Sequence, residues 1–264
     1  MLGFIGMGNM ASAILRGVMG SGLLNASDVL VYDVLPEKVQ AQCERFGVGK
    51  ADGAAEIAER CDTVVLAVKP QVLPALLDEI GALLKAAKPL VLTIAAGKPL
   101  AFYETALGKT QRIVRIMPNI NATVGAAVSA YCPNAAATET DCAFADAFCA
   151  SFGTAMRLPE SQFSVFGVVG GCAPAFVQLF MDALARAGVR YGLPKDTALQ
   201  IAAQTVLGSA KLLMESGEHP QQIIDNVCSP GGTTIEGVLS LQKDGFEAAV
   251  ANAVRAAVEK DAKL

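Results

Sequence analysis

The stretch Leu2-Gly3-Phe4-Ile5-Gly6-Met7-Gly8-Asn9-Met10-Ala11 decides the fold. Leu2 to Ile5 is a short apolar run that reads as a buried strand. From Ala11 onward, Ala13, Ile14, Leu15 and Val18 recur at helical spacing. The pattern is strand, glycine turn, helix. Glycines let the backbone come close to a pyrophosphate, which sits at the helix N-terminus. The usual G-x-G-x-x-G spacing ends here in Ala11 instead of a third glycine. Such a motif gains weight from lying between a strand and a helix. Ile5, Gly6, Met7, Gly8, Asn9 and Met10 are therefore candidate cofactor-binding residues.

The next segments repeat the alternation. Asp28 to Asp33 is a second strand, and Asp33 ends it a little over twenty residues past the glycine turn. An acid there bonds an adenosine ribose or caps the following helix, which is expected near Pro36; both readings stand. No Arg or Lys lies between Val31 and Pro36, so no clamp for a 2′-phosphate is evident and both NADPH and NADH are expected donors. Asp62 to Val68 is a third strand, apolar on both faces, and Lys69-Pro70 closes it. Ala67, Val68, Lys69 and Pro70 thus fall at the strand end where ligands bind. Leu90 to Ile94 leads into Ala95-Ala96-Gly97, small enough for a cofactor to pass. Arg112 to Ile116 leads into Met117-Pro118-Asn119. A strand over Ala126–Tyr131, a helix over Thr140–Ala150 and an edge strand over Thr154–Leu158 complete an α/β domain. This alternation predicts a doubly wound, Rossmann-like parallel sheet over residues 1–158.

After Pro159 the pattern is helical only, which predicts a second, all-helical domain over 159–264. Phe176, Leu179, Phe180, Ala183, Leu184 and Ala187 form one apolar row, with Val177, Met181, Ala185 and Gly188 beside it. Asp182 and Arg186 are spaced for an i,i+4 ion pair. A helix apolar nearly all round must be buried, and a second subunit is the simplest cover for so small a domain. Ser161 to Met181 carries no charge over a membrane-spanning length, but its glutamines, paired glycines and Pro174 favour a buried helix of a soluble protein. Met1 to Gly20 is apolar yet has no basic segment before it, which counts against a signal peptide.

Near the end comes Asn226-Val227-Cys228-Ser229-Pro230-Gly231-Gly232-Thr233-Thr234-Ile235-Glu236. Ser229 suits an N-cap and Pro230 a first helical position, so a helix is expected from Pro230. Unpaired N–H groups of its first turn, two glycines and two hydroxyls would make a socket for a small carboxylate. An ordinary capped helix start reads equally well from the spacing.

Composition narrows the chemistry. Charged residues are 17% of the 264 and hydrophobic ones 53%, with a net charge of −4. No basic block appears, which argues against nucleic acid. Seven scattered cysteines with no Cys-x-x-Cys, and a single histidine, suit reduced thiols in cytosol and argue against a zinc site. His219 reads as a surface residue and Cys228 as packing. A carbonyl reduction needs an acid for the alkoxide. A protonated imine does not, because hydride addition yields the amine directly.

These segments resemble pyrroline-5-carboxylate reductases almost end to end. The similarity lies in Gly3 to Ala11, Leu66-Ala67-Val68-Lys69-Pro70, Arg115-Ile116-Met117-Pro118-Asn119, and the specific signature Asp225 to Thr234. The resemblance implies reduction of 1-pyrroline-5-carboxylate to L-proline with NADPH, or NADH. It implies cofactor contacts at the residues named above together with Asn119. It also implies a substrate carboxylate held by backbone at Ser229, Gly231, Gly232 and Thr233. Thr234 would bond the ring nitrogen and act as the catalytic side chain, with Asn226 close by. Family members interlock as homodimers, often in rings of dimers.

Three positions depart from the family pattern: Val34-Leu35 where Arg or Asn is common, Cys172 in place of a serine, and Ile120-Asn121 after the Met-Pro-Asn motif. Two rivals remain: a β-hydroxyacid dehydrogenase-like enzyme, and a dinucleotide-binding regulator without catalysis. The first needs a lysine on the long helix, and Phe163 to Arg190 has none.

Overall fold

The computed structural model describes residues 1–262. It forms two compact units, Met1–Gly171 and the chain from Cys172 on. The last two residues of the expected second domain lie outside the described residues.

The first unit is built on strands β1 (Leu2–Ile5), β2 (Val29–Tyr32), β3 (Gly49–Lys50), β4 (Thr63–Leu66), β5 (Leu90–Thr93), β6 (Ile113–Met117), β7 (Ala127–Pro133) and β8 (Gly153–Arg157). Helices α1 (Asn9–Ser21), α2 (Pro36–Phe46), α3 (Ala54–Arg60), α4 (Leu73–Ala87), α5 (Leu100–Leu107), α6 (Glu139–Ala150) and α7 (Phe163–Phe166) accompany them. The sheet order is β3-β2-β1-β4-β5-β6-β7-β8, and all pairs are parallel except β6 with β7. That pair is antiparallel because only a 3-10 turn, Ile120–Val124, joins it, too little chain for a crossover. The sheet is thus mostly parallel, with one reversal that the alternation of segments did not reveal.

Side chains alternate across the sheet. Phe4, Val31, Val65, Leu92 and Val114 join one core with Ile14, Leu15, Phe148 and Phe152. Ile5, Leu30, Val64, Leu66 and Val91 join the other with Leu73, Ile80 and Tyr103. Phe163 and Phe166 are buried in this second core. The residues after Leu158 are helical as read from the sequence, but through Gly171 they belong to the first compact unit rather than the second. The reason is that those two phenylalanines anchor them there.

The second unit contains α8 (Ala173–Arg190), α9 (Lys195–Ser216), α10 (Pro220–Val227), α11 (Thr233–Lys243) and α12 (Phe246–Asp261). A π-helical turn, Gly167–Cys172, precedes α8. Asp182 pairs with Arg186 at 2.6 Å and also with Lys195. Only Ala185 of α8 is buried within the chain; Leu179 is 72% exposed and Phe180 41%. The helical run Glu160–Arg190 is long and apolar enough to cross a membrane by length and composition.

Candidate active site

In the first unit the sheet register sets a candidate cofactor edge. Ile5 pairs with both Tyr32 and Leu66, and Leu66 with Thr93. The residues after β1, β2, β4 and β5 therefore emerge at one edge, beside the point where strand order reverses. This edge carries Ile5 to Met10, Asp33, Ala67 to Pro70, and Ala95 to Gly97.

Gly6 adopts φ +99°, and a Cβ there would meet the Ala67 carbonyl carbon and oxygen at 2.9 Å. Only glycine lets the turn cross so close to β4. Gly6 N–H donates to Tyr32 O at 2.8 Å. Gly8 precedes α1 with no side-chain cap, and a Cβ built on it would meet nothing within 4 Å. No side chain caps the N–H groups opening α1, which suits a pyrophosphate there. Ala11, in place of a third glycine, is buried in the core.

Asp33 does not cap α2: the cap position is Leu35, without a side-chain bond. Instead Asp33 Oδ2 accepts from Met7 N at 2.7 Å, and Oδ1 from Leu35 N at 3.0 Å. The second bond is the local turn that aspartate favours. One carboxylate thereby ties the glycine turn to the end of β2.

Lys69 is exposed, as are Ala96 and Gly97, while Ala95 is buried. Asn119 lies at the end of β6 but is 5% exposed. Its Nδ2 donates to Gly170 O at 2.9 Å, and its Oδ1 accepts from Asn121 N at 3.2 Å. Its amide thus holds the π-helical turn and caps the 3-10 turn.

In the second unit, Ser229-Pro230-Gly231-Gly232 is a turn, not the start of a helix. Gly232 N donates to Ser229 O at 3.0 Å, and Gly231 has φ +69°. Proline second and a left-handed glycine third is the type II pattern. It outcompetes the capping arrangement expected at Ser229, and α11 begins at Thr233. A Cβ on Gly232 would collide with Ser229 Oγ, so the turn closes tightly on itself. Gly232 is the cap residue and offers no side-chain bond. Thr233 and Thr234 are exposed in the uncapped first turn of an eleven-residue helix. An anion is favoured at such an end.

Asn226 lies on α10, just ahead of this turn. Its Oδ1 accepts from Gln222 Nε2 at 2.9 Å, and its Nδ2 donates to Glu218 Oε2 at 3.5 Å. His219 is exposed, and its Nδ1 accepts from Gln221 N at 3.2 Å, capping α10. Among the described residues no cluster of His, Cys, Asp or Glu is arranged to hold a metal ion.

Comparison with known proteins matches both halves. Residues 160–264 match the family model for pyrroline-5-carboxylate reductase dimerisation, and residues 1–97 match that for NADP oxidoreductase, coenzyme F420-dependent. Over all of this chain, and 97% of the relative, it is 42% identical to pyrroline-5-carboxylate reductase of Escherichia coli (strain K12). The chain belongs to the pyrroline-5-carboxylate reductase family. The enzyme of that name from Glycine max is 38% identical over all of this chain and 95% of its own length. Among solved structures, the Coxiella burnetii pyrroline-5-carboxylate reductase aligns with a TM-score of 0.96 at 31% identity, over 99% of this chain and 97% of its own. The Plasmodium falciparum pyrroline carboxylate reductase, solved with NADP bound, aligns with a TM-score of 0.85 at 32% identity, over 98% and 96%.

A basic side chain also stands at this edge. Lys38, in the first turn of α2, places Nζ 4.0 Å from Asp33 Oδ2. It lies outside the short window after β2 where a basic residue is usually sought.

Proposed function

We propose that the uncapped first turn of α11 receives the substrate carboxylate while the glycine turn of β1–α1 receives a dinucleotide. The chain reduces 1-pyrroline-5-carboxylate to L-proline, the closing step of proline biosynthesis. NADPH supplies the hydride. The contacts assigned to it are Ile5 to Met10, Asp33, Ala67 to Pro70, Ala95 to Gly97 and, at the end of β6, Asn119. Asn119, whose amide bonds Gly170 O and Asn121 N, shapes this end of the edge. NADH is a weaker donor.

Backbone N–H groups at Ser229, Gly231 and Thr233 fix one end of the substrate; Gly232 shapes the turn instead, because its own N–H is used on Ser229 O. The carrying observation is that α11 starts without a side-chain cap, with two threonines in its first turn. Thr234 is the second helical residue, so its hydroxyl projects beside the orphan N–H groups and can accept from the protonated ring nitrogen. Two fixed points set the angle of the ring for hydride delivery. No acid is required, because the product amine forms directly. Asn226 supports the approach from α10.

In this reading residues 1–158 serve the cofactor and 159–264 the substrate and dimer contact. The exposed face of α8 is covered by a second copy in a homodimer, and a ring of such dimers is a natural extension. Neither nucleic acid nor membrane is a partner. The seven free cysteines accord with the cytoplasm.

The test is kinetic. Thr234→Ala should lose roughly 1.5–3 kcal/mol, about ten- to a hundredfold in kcat/KM, with cofactor affinity unchanged. Thr234→Ser should recover most of the rate. Full kcat/KM in the alanine variant would reduce Thr234 to a helix-end residue.

A further inference from the structure

The adenosine corner of the glycine edge carries a charge arrangement that the family motifs do not specify. Asp33 is the residue expected to choose between cofactors, since a carboxylate after β2 repels a 2′-phosphate. Here that carboxylate is half committed. Each oxygen accepts one backbone N–H, from Met7 and from Leu35, and the side chain is only 10% exposed. Val34 and Leu35, which follow, are exposed and apolar, and offer a phosphate nothing.

Lys38 changes the balance. Its ammonium stands 4.0 Å from the same Asp33 oxygen that accepts from Met7. It therefore hangs beside the glycine turn, where the adenosine ribose of a dinucleotide runs. The distance is too long for a hydrogen bond, so the three ammonium donors are not spent on Asp33. The lysine side chain is 41% exposed, free to swing on its four-carbon stem. Its charge offsets that of Asp33, so the corner does not repel an anion.

We propose that Lys38 is the residue that recognises the 2′-phosphate, turning from Asp33 to donate to it, and that Asp33 serves chiefly as the brace of the glycine turn. This rests on the cofactor reading above but not on the identity of the imine. A charge-assisted bond from Lys38 should favour NADP over NAD by roughly ten- to a hundredfold.

The test is calorimetric binding of NADP⁺ and NAD⁺, which differ only in that phosphate, to the full chain without substrate. The expected result is that Lys38→Met and Lys38→Gln bring the two affinities close together by weakening NADP⁺ alone, and that Lys38→Arg keeps the preference. Lys69→Met should leave the ratio as it was. An unchanged ratio in both Lys38 variants, an equal loss for both cofactors, or a collapse only in Lys69→Met would overturn the assignment. Binding is read without turnover, so failure to reduce pyrroline-5-carboxylate would leave this result standing and sink only the reaction.

Discussion

The two units of this chain bury very different things. The sheet unit packs Phe4, Phe148, Phe152, Tyr103 and many branched side chains on both faces of its sheet. The helical unit fully buries a cluster of three alanines, Ala185, Ala198 and Ala202, with Met181 against it. Leu179, Leu207 and Met214 are exposed on its helices, and Phe180 meets Phe246 only at the surface, at 6.3 Å between rings. The first unit has its core within the chain. The second has an apolar surface that needs a cover to be stable in water. The hydrophobic composition of this chain, 53%, thus divides between a closed core in one half and an exposed apolar face in the other, which the proposed homodimer would cover.

Charge placed on the helical surface should have the largest effect. Phe180→Asp leaves an unpaired charge in the proposed apolar contact and should cost several kcal/mol of association. Light scattering should show the dimer dissociating. An unmutated chain that is an active monomer would remove the basis for the contrast.

Truncation inside the sheet unit should cost about 3–5 kcal/mol in Phe148→Ala, from lost burial and the cavity left behind. Denaturation followed at several protein concentrations sharpens the contrast. The loss from Phe148→Ala should be the same at each concentration, whereas stability of the helical unit should rise with concentration. A smaller effect distinguishes thiols. Burial pushes the Cys149 thiol up to about 12, so alkylation at neutral pH should miss it in the native state. Labelling of Cys149 as fast as in unfolded protein would show that the sheet core opens readily.

Most of the sheet unit was legible in the sequence because its strands are continuous apolar runs bounded by turn residues. The two-residue edge strand Gly49–Lys50 was not, since so short a pairing leaves no period. The antiparallel β7 depends on a connection length whose meaning appears only once the neighbouring strands are placed. At the site, Gly6 was legible because close approach demands glycine. The start of α11 was misplaced because Ser-Pro suits a helix cap, yet Pro-Gly-Gly suits a type II turn better. Asn119 and Lys38 show the remaining gap. The first turns inward to Gly170, far along the chain, and the second reaches back to Asp33 across a helix start. Neither direction is encoded in local spacing.

The most direct measurement is turnover itself: purified chain, 1-pyrroline-5-carboxylate and NADPH, followed by loss of nicotinamide absorbance together with assay of proline. One proline should form for each NADPH consumed. Tight NADPH binding with no proline formed would contradict it and leave a dinucleotide-binding protein without this reaction.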